Sequence, residues 1–469
     1  MKMTNERIPL LIPVENQVRE LDPKLLLACI AARRGFPSYI GSRREFHFEI
    51  TSFPRGIYLS KSITGASDMM FRIMRHLGHE IVAWDEEALV HLPDDIYYSR
   101  RLSPAAMAYV SHFFAWGEDN AELWRRYPHF PKDAVIDVTG NPRNDLLRPE
   151  LHSYYDSDVQ AIKNTYGDFI LVNTNFNHVN AFTPVQNLFQ PVEKPGDVPN
   201  FGRAAKGMTR TYAEGLRDHK QAIFKDFQHM IPELDKAFPD YHIIVRPHPT
   251  ESQQIYHDIA AGCSRVKVTN EGNVVPWLLA TRALIHNSCT TGVEAYVMRV
   301  PALTYRASIN ETYDFGFYRL PNLVSHTCHS IEELKASLKQ ILNGELGPTV
   351  DAERQQLIAH YLAAQDGPLA CERMVDVLEA IVNGRQALPK PGLVARSVGR
   401  SLYAVRTLIK RYKDARPGSH NRPEFQRHRY PEVSMEDMRA RVSRFQNILN
   451  HREELIIEQI TNKFFRISL

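Results

Sequence analysis

The segment spanning residues 283–305 places a strand, a polar turn, a helix and a second strand in immediate succession. Residues 283–285 are an apolar strand, and the turn at 287–292 reads Asn-Ser-Cys-Thr-Thr-Gly. A helix is predicted at 293–298 and the next strand at 301–305. A strand that returns to a neighbouring strand through a helix belongs to a parallel α/β sheet. The N–H groups that open such a helix can bind phosphate, although an ordinary helix cap fits the same residues.

The same alternation recurs along the chain and predicts two sheets. Apolar runs predict strands at 8–13, 37–40, 56–59, 80–84, 109–116 and 134–138, and again at 169–172, 241–245 and 266–268. We therefore predict an α/β fold with two Rossmann-like domains, at residues 1–150 and 151–350. Residues 351–385 are expected to form helices that return toward the first domain, and residues 386–469 a basic helical extension.

The overall composition excludes several classes of protein. The five cysteines among 469 residues have no paired spacing, which favours a reducing compartment over a disulfide framework or a zinc site. No apolar run reaches the length of a membrane span, and the polar N-terminus does not read as a signal peptide. The net charge of +3 does not indicate a nucleic-acid-binding protein. A cytoplasmic location is expected.

Charged side chains follow several predicted strands of the first domain. Residues 15–22 form a polar segment predicted as a loop, Ser60-Lys61 follows the third strand, and residues 139–145 are predicted as a turn. Ligands of α/β sheets bind at this edge, although solvated surface charge fits equally. The candidates for substrate binding are Glu15, Arg19, Lys61 and Arg143. Glu86 and Glu87 are placed as a general base would be, or as acids that favour a helix N-terminus.

Two polar segments follow strands of the second domain. Asn173, Asn175 and Asn177 come after the strand at 169–172 and suit either a polar ligand or a simple turn. The strand at 241–245 runs into Arg-Pro-His-Pro at 246–249. The two prolines stiffen this turn, so that Arg246 and His248 suit a phosphate as charge clamp and proton donor.

These motifs carry a resemblance to a known group of enzymes. Two Rossmann-like domains without a Gly-x-Gly-x-x-Gly or Walker loop resemble GT-B glycosyltransferases. Residues 246–249 resemble the His-Pro motif of bacterial sialyltransferases and capsule Kdo transferases, and residues 287–291 resemble their Ser/Thr motif. Glu86-Glu87-Ala88 stands where these enzymes carry an acidic pair followed by Gly. Over residues 8–385 the pattern is similar to bacterial surface carbohydrate (capsule or O-antigen) biosynthesis proteins.

The resemblance implies an activity and roles for residues. It implies a GT-B glycosyltransferase, with domains facing across a cleft, that moves a CMP-activated sugar such as Kdo or a sialic-acid-like sugar onto a surface polysaccharide or lipid-linked acceptor. No metal or other cofactor is implied. Glu86 or Glu87 would deprotonate the acceptor, and His248 would protonate the leaving phosphate. The implied donor-binding residues are Arg246, Pro249, Asn287, Ser288, Thr290, Thr291 and Glu294.

Three alternatives share parts of this pattern. A nucleotide-sugar 2-epimerase has the same two-domain fold. A CDP-polyol phosphotransferase uses similar His-Pro and Ser turns. A non-catalytic nucleotide- or glycan-binding scaffold would bind without turnover.

The C-terminal part of the chain is strongly basic. Residues 385–430 hold twelve Lys and Arg against two acids. Within residues 393–413, apolar side chains at 394, 398, 402, 405, 409 and 412 recur at helical spacing, with Arg396, Arg400, Lys410 and Arg411 assigned to the opposite side. Such a helix suits an anionic membrane surface, which predicts a peripheral protein at the inner face of the cytoplasmic membrane, or it packs on the first domain. Residues 434–457 are predicted as a further amphipathic helix for packing or homo-oligomerisation.

Overall fold

The structure is a computed structural model of the chain, and it describes residues 8–192, 194, 196–314, 319–384, 388, 390–415 and 429–469. The chain divides into two compact units. Unit 1 comprises the described residues of 1–89, 101–154 and 358–469, and unit 2 comprises those of 90–100 and 155–357.

Each unit is built around one sheet. The strands are β1 Leu10–Val14, β2 Ser38–Ser42, β3 Ile57–Ser60, β4 Glu80–Ala83, β5 His112–Ala115, β6 Val135–Val138, β7 Phe169–Thr174, β8 His242–Pro247, β9 Val266–Val268, β10 Ala283–His286, β11 Ala302–Tyr305, β12 His326–Cys328, β13 Ile456–Thr461 and β14 Phe464–Ser468. The helices are α1 Gln17–Arg33, α2 Arg43–Glu49, α3 Asp68–Leu77, α4 Asp94–Arg101, α5 Pro104–Met107, α6 Glu118–Arg125, α7 Pro142–Asp145, α8 Asp156–Tyr166, α9 Arg210–Ala237, α10 Gln254–Ala261, α11 Val274–Ala280, α12 Thr291–Val297, α13 Glu311–Asp314, α14 Arg319–Leu323, α15 Ile331–Leu342, α16 Ala352–Tyr361, α17 Ala370–Asn383, α18 Leu393–Asp414 and α19 Met435–Ile448.

The sheet of unit 1 has the order β13-β14-β2-β1-β3-β4-β5-β6. The strands from β2 to β6 are parallel, as the sequence predicts, and the order reverses direction between β1 and β3. In such sheets the carboxyl ends of the strands on either side of the reversal flank the usual ligand crevice.

The C-terminal extension is not helical throughout, which corrects the sequence prediction. After α18 and α19 the chain forms the hairpin β13–β14, and β14 pairs antiparallel with β2. Aromatic and β-branched residues dominate β14, and Phe464, Phe465 and Ile467 are fully buried. The predicted helix at 434–457 therefore ends at Ile448. Residues 416–428 of the basic segment lie outside the described residues.

Residues 15–22 are not a loop, which is a second correction. Helix α1 begins at Gln17, and both Glu20 and Asp22 are buried. The Glu20 carboxylate accepts hydrogen bonds from the N–H groups of Glu15 at 3.0 Å and Asn16 at 3.3 Å. These bonds satisfy amides that a helix start leaves unpaired, so the helix begins two turns earlier than the polar composition indicates.

The predicted turn at 139–145 is also partly helical. Pro142–Asp145 form the short helix α7, because the Asn141 side chain caps it by accepting from the Arg143 N–H at 3.0 Å.

The sheet of unit 2 has the order β12-β11-β10-β7-β8-β9, and its strands are all parallel. Helices α9 and α15 cover it with apolar side chains, including Ile223, Phe227, Leu334 and Leu338. The order reverses between β7 and β10, as it does in dinucleotide-binding sheets. The α/β class with two Rossmann-like sheets, predicted from the sequence, is thus confirmed.

Among the residues that the structure describes, no helix is both long enough and apolar enough to cross a bilayer.

Candidate functional site

The reversal point of the unit 2 sheet carries buried amide side chains. Strands β7 and β10 are neighbours, and the Asn175 N–H donates to Asn287 Oδ1 at 2.9 Å just beyond them. Asn173 Oδ1 and Asn287 Nδ2 are buried and have no hydrogen-bond partner among the described residues. Because an unpaired buried amide costs about 1–3 kcal/mol, this acceptor and this donor suit a polar ligand at the strand ends.

His248 follows β8 at the same edge of this sheet and is held in one tautomer. The Thr250 N–H donates to His248 Nδ1 at 3.2 Å, and Thr250 Oγ1 lies 2.8 Å from the same nitrogen. An amide can only donate, so Nδ1 is an acceptor and the neutral ring carries its proton on Nε2. In this tautomer His248 can donate a hydrogen bond from Nε2.

Glu251 fixes the backbone of this turn. Its carboxylate accepts from the His248 N–H at 3.1 Å, Thr174 Oγ1 at 3.0 Å and Tyr256 OH at 2.8 Å. Burial raises the pKa of Glu251 in spite of these bonds. The buried network holds the end of β8 against the end of β7. Asn177 reaches the same turn, with Nδ2 3.4 Å from Thr250 Oγ1, and Pro249 is exposed between His248 and Thr250.

Arg246 does not accompany His248. Its guanidinium donates to the carbonyls of Glu271 at 2.7 Å and Gly272 at 3.1 Å, and it lies 4.6 Å from the ring of Trp277. Burial lowers the pKa of Arg246 to about 10. These contacts make Arg246 a brace between β8 and the loop before α11.

The Ser/Thr turn places its hydroxyls differently from one another. Ser288 has a φ of 65°, and its Oγ donates to the buried Asn322 Oδ1 at 2.7 Å. This hydroxyl is therefore engaged in a hydrogen bond inside unit 2. Cys289 Sγ lies 2.7 Å from Thr291 Oγ1. Thr290 and Thr291 are half-buried at the start of α12, whereas Glu294 is buried.

Gly292 allows the turn to close over His286. A Cβ on Gly292 would lie 2.6 Å from the His286 ring. That ring is buried, and it accepts the Ser288 N–H at 3.1 Å through Nδ1 and contacts Ser325 Oγ at 2.8 Å through Nε2. Burial lowers the pKa of His286 to about 3, so the ring stays neutral and structural.

Lys220 lies near this edge of the unit 2 sheet and is not among the candidates that the sequence analysis identified. It is 2% exposed on α9, with Nζ 6.0 Å from the Phe176 ring. Burial lowers the pKa of Lys220 to about 8, although Glu251 and Asp314 oppose that effect. Burial, with the nearby charges of Lys220, Arg100 and His248, also lowers the pKa of His178 well below its usual range. Lys220 and His248 both lie close enough to His178 to lower its pKa, and a cation at this edge of the sheet suits an anionic ligand.

The sequence did contain a signal for Lys220. It stands at the apolar spacing of α9 between Leu216, Ile223 and Phe227, where a core residue is expected. Because lysine is almost never fully buried unless it is paired, its presence at such a position is unusual.

The reversal point of the unit 1 sheet holds a dense cluster of ion pairs. Glu15, next to the end of β1, lies 2.9 Å from Arg43, 3.1 Å from Lys61 and 2.6 Å from Arg429. Burial alone would raise the pKa of Glu15, but these three cations hold it well below its usual range. The structure thus brings Glu15 and Lys61 together, each bound to the other.

The acidic pair after β4 is divided between the interior and the surface. Glu86 is 5% exposed, accepts from Trp84 Nε1 at 3.0 Å and lies 3.7 Å from Lys24 Nζ. Its Oε2 is 4.0 Å from Arg143 Nη1 and has no hydrogen-bond partner among the described residues.

Glu87 is the accessible member of the pair, with a side chain 52% exposed and 3.5 Å from Arg19. Burial acts to raise the pKa of Glu87, but Arg19 and Arg101 lower it, so Glu87 is ionised at neutral pH. Arg143 lies 5.6 Å from the Trp116 ring. Four predicted residues, Arg19, Glu86, Glu87 and Arg143, therefore meet at one edge of the unit 1 sheet.

Comparisons with known proteins show similarity to solved structures at low sequence identity. No protein-family description matches the sequence, and no curated protein matches it. A solved structure of the wall teichoic acid polymerase TagF is 10% identical, with coverage of 80% of this chain and 90% of that one and a TM-score of 0.48. UDP-GlcNAc 2-epimerase from Methanocaldococcus jannaschii is 14% identical, covering 80% of this chain and 100% of that one, with a TM-score of 0.45. The Neisseria meningitidis epimerase bound to UDP-GlcNAc is 12% identical, covering 81% and 100%, with a TM-score of 0.45. These likenesses assign no activity to this chain.

Proposed function

We propose that this protein is a glycosyltransferase whose nucleotide-activated donor binds unit 2 at the carboxyl ends of β7, β8 and β10. One observation carries the proposal, namely the gathering of donors and a cation at that edge. His248 can donate from Nε2, Lys220 supplies a buried ammonium, and Asn173 Oδ1 and Asn287 Nδ2 have no hydrogen-bond partner among the described residues. Cationic and N–H donors in a poorly hydrated setting suit a phosphate.

The proposed leaving group is CMP, from a CMP-activated 3-deoxy-ulosonic acid such as Kdo or a sialic-acid-like sugar. The resemblance of residues 246–249 and 287–291 to enzymes that use such donors supports this choice. CMP leaves with a single phosphate, and His248 and Lys220 can offset its charge, so we propose that no metal or other cofactor takes part. Thr290 and Thr291 would contact the phosphate oxygens and Glu294 the ribose. Arg246 and Ser288 are left out of the donor contacts because both are engaged inside unit 2.

The proposed general base belongs to the acidic pair of unit 1. Glu87 is ionised and accessible, and Glu86 has one carboxylate oxygen without a hydrogen bond. Either can accept the proton of an acceptor hydroxyl. Arg19 and Arg143 would hold the acceptor, which the resemblance places among surface polysaccharides and lipid-linked glycans.

The first test is a panel of nucleotides. Calorimetric titration with CMP, CDP, UDP and GDP is expected to give the tightest binding for CMP. Binding of UDP without binding of CMP would contradict the proposed donor. Turnover of a CDP-polyol in place of a CMP-sugar would favour the phosphotransferase alternative, and interconversion of a UDP-sugar without an acceptor would favour the epimerase.

His248 is the first catalytic prediction. Replacing His248 with Ala removes the Nε2–H donor and is expected to lower kcat by about 10²–10⁴-fold, measured as release of CMP from the donor. The exposed His257 of the same unit provides the control, because His257→Ala should leave the rate unchanged. A near-wild-type rate for His248→Ala would remove this residue from the mechanism.

Substitution of the acidic pair tests whether the protein is an enzyme or a non-catalytic scaffold. Glu86→Gln together with Glu87→Gln is expected to abolish turnover and to leave CMP affinity unchanged, since the donor phosphate is assigned to unit 2. Turnover that survives in the double variant would exclude both residues as the base. A wild-type protein that binds CMP but releases none from any CMP-sugar would favour the scaffold.

A further inference from the structure

Helix α18 carries an apolar stripe that remains exposed among the described residues of unit 1. The stripe residues share one face of the helix, at spacings of three, four and seven residues. Their exposed fractions are 78% for Val394, 38% for Val398, 56% for Val405, 68% for Leu408, 50% for Ile409 and 64% for Tyr412. Exposed apolar side chains in a contiguous row mark an interaction surface rather than ordinary scatter.

The opposite face of α18 fastens the helix to unit 1. A Cβ on Gly399 would lie 2.8 Å from His76 Cβ of α3, so the two helices approach closely there. Tyr403 OH donates to the Phe48 carbonyl, and Arg406 Nη2 lies 3.4 Å from His47 Nδ1. The sequence offered a membrane-facing helix or a packed helix as alternatives. The structure shows a packed helix whose apolar stripe is not the face that packs.

The charge around the stripe is basic. Arg400, Arg411 and Lys413 are exposed, and the helical repeat of about 100° per residue places them on the two flanks of the stripe. The one acid of α18 is Asp414, and Arg44 donates to it at 2.6 Å. The free face of α18 therefore combines an apolar centre with cationic edges.

We propose that α18 lies in the plane of an anionic phospholipid surface, with its stripe among the acyl chains and its arginines and lysine against the headgroups. The pattern of an amphipathic helix with basic flanks is the one such surfaces bind. A second copy of this chain is a poorer occupant, because two such faces would bring like charges together without an acid to offset them. This inference does not depend on the donor site of unit 2.

The experiment is flotation of the full-length protein with vesicles. Vesicles of phosphatidylglycerol and phosphatidylcholine in equal parts are expected to carry the protein, and vesicles of phosphatidylcholine alone are not. Leu408→Glu with Tyr412→Glu should abolish flotation. Arg400→Glu with Arg411→Glu should weaken the partition coefficient by at least about thirtyfold, because each basic residue near the surface contributes about 1 kcal/mol.

Matched variants elsewhere on unit 1 serve as controls. Met69→Glu replaces an apolar side chain of α3 that is 45% exposed. Arg125→Glu with Arg126→Glu reverses two exposed charges, at the last residue of α6 and at the residue that follows it. All controls should float like the wild type, and circular dichroism should show that every variant is folded. Absence of flotation for the wild type, equal losses in the controls, or a dimer that Leu408→Glu converts to a monomer would each overturn the proposal.

Discussion

At the scale of single residues, buried charge marks the candidate donor site. Lys220 sits within the apolar face of α9, where an ammonium loses its hydration. Glu251 and Asp314 offset part of the cost of this charge, and a bound anion would offset more of it. We therefore predict that Lys220 links the stability of unit 2 to ligand binding.

Replacing Lys220 with Met is expected to raise stability and weaken binding together. At pH 7 the variant without ligand should gain up to about 3 kcal/mol in free energy of unfolding, since the shift of the lysine pKa from 10.5 to about 8 corresponds to a cost of that order for burying its charge. Urea unfolding measures the gain, and calorimetric titration with CMP measures the loss of affinity. Lys225→Met on the same helix is the control. A variant that keeps its CMP affinity would exclude Lys220 from the site.

The pH dependence of the wild type follows from the same shift. Between pH of about 8 and 10.5 the unfolded chain still binds the Lys220 proton that the folded protein has released, so stability rises with pH across this window and is flat below it. Lys220→Met should lack the rise. CMP affinity should fall as the pH passes through about 8, because the ammonium is lost.

At the scale of elements, the turn between β10 and α12 depends on His286 as much as on its hydroxyls. The neutral ring accepts the Ser288 N–H and contacts Ser325, and the close approach of Gly292 lets the helix begin directly above it. The buried His286 ring therefore contacts the residues on both sides of Thr290 and Thr291 and fixes the backbone of the turn that carries them.

Gly292→Ala tests this arrangement. The added methyl group would lie 2.6 Å from the His286 ring, so the turn must shift. We expect a loss of about 1–3 kcal/mol in free energy of unfolding and weaker CMP binding. Gly347→Ala has open space around its Cβ and should leave both quantities unchanged. Unaltered CMP affinity in Gly292→Ala would argue against phosphate binding at this turn.

At the scale of the whole chain, unit 1 is completed by residues remote in sequence. The hairpin β13–β14 extends its sheet beyond β2, and Lys463 lies 3.1 Å from Glu45. Arg429 reaches Glu15, and Arg441 donates to Asp22, so residues 429–469 are part of the fold of unit 1 rather than an appended tail.

Phe464→Ala is expected to destabilise unit 1. Phe464 is fully buried, with ring centroids 4.7 Å from Phe46 and 5.2 Å from Phe53. Its truncation should cost about 3–5 kcal/mol in urea unfolding followed by tryptophan fluorescence. Ile460→Ala, at a position 50% exposed, should cost under about 0.5 kcal/mol. Equal effects of the two substitutions would show that the hairpin does not contribute to unit 1.

The periodic features of this protein could be predicted from local sequence pattern. Apolar runs and helical spacings predicted the two parallel sheets, and strand ends with polar residues predicted which loops gather at their carboxyl edges. His248, Asn173 and Asn287 were found in this way, because local pattern fixes which residues follow a strand.

Which of those side chains are engaged inside unit 2 could not be read from local pattern. Arg246 and Ser288 have the right chemistry in the right segments, yet Glu271 and Asn322, distant in sequence, engage them. Lys220 and the pairing of β14 with β2 also arise from contacts between distant segments. Such contacts depend on packing in three dimensions, and local propensity carries no record of them.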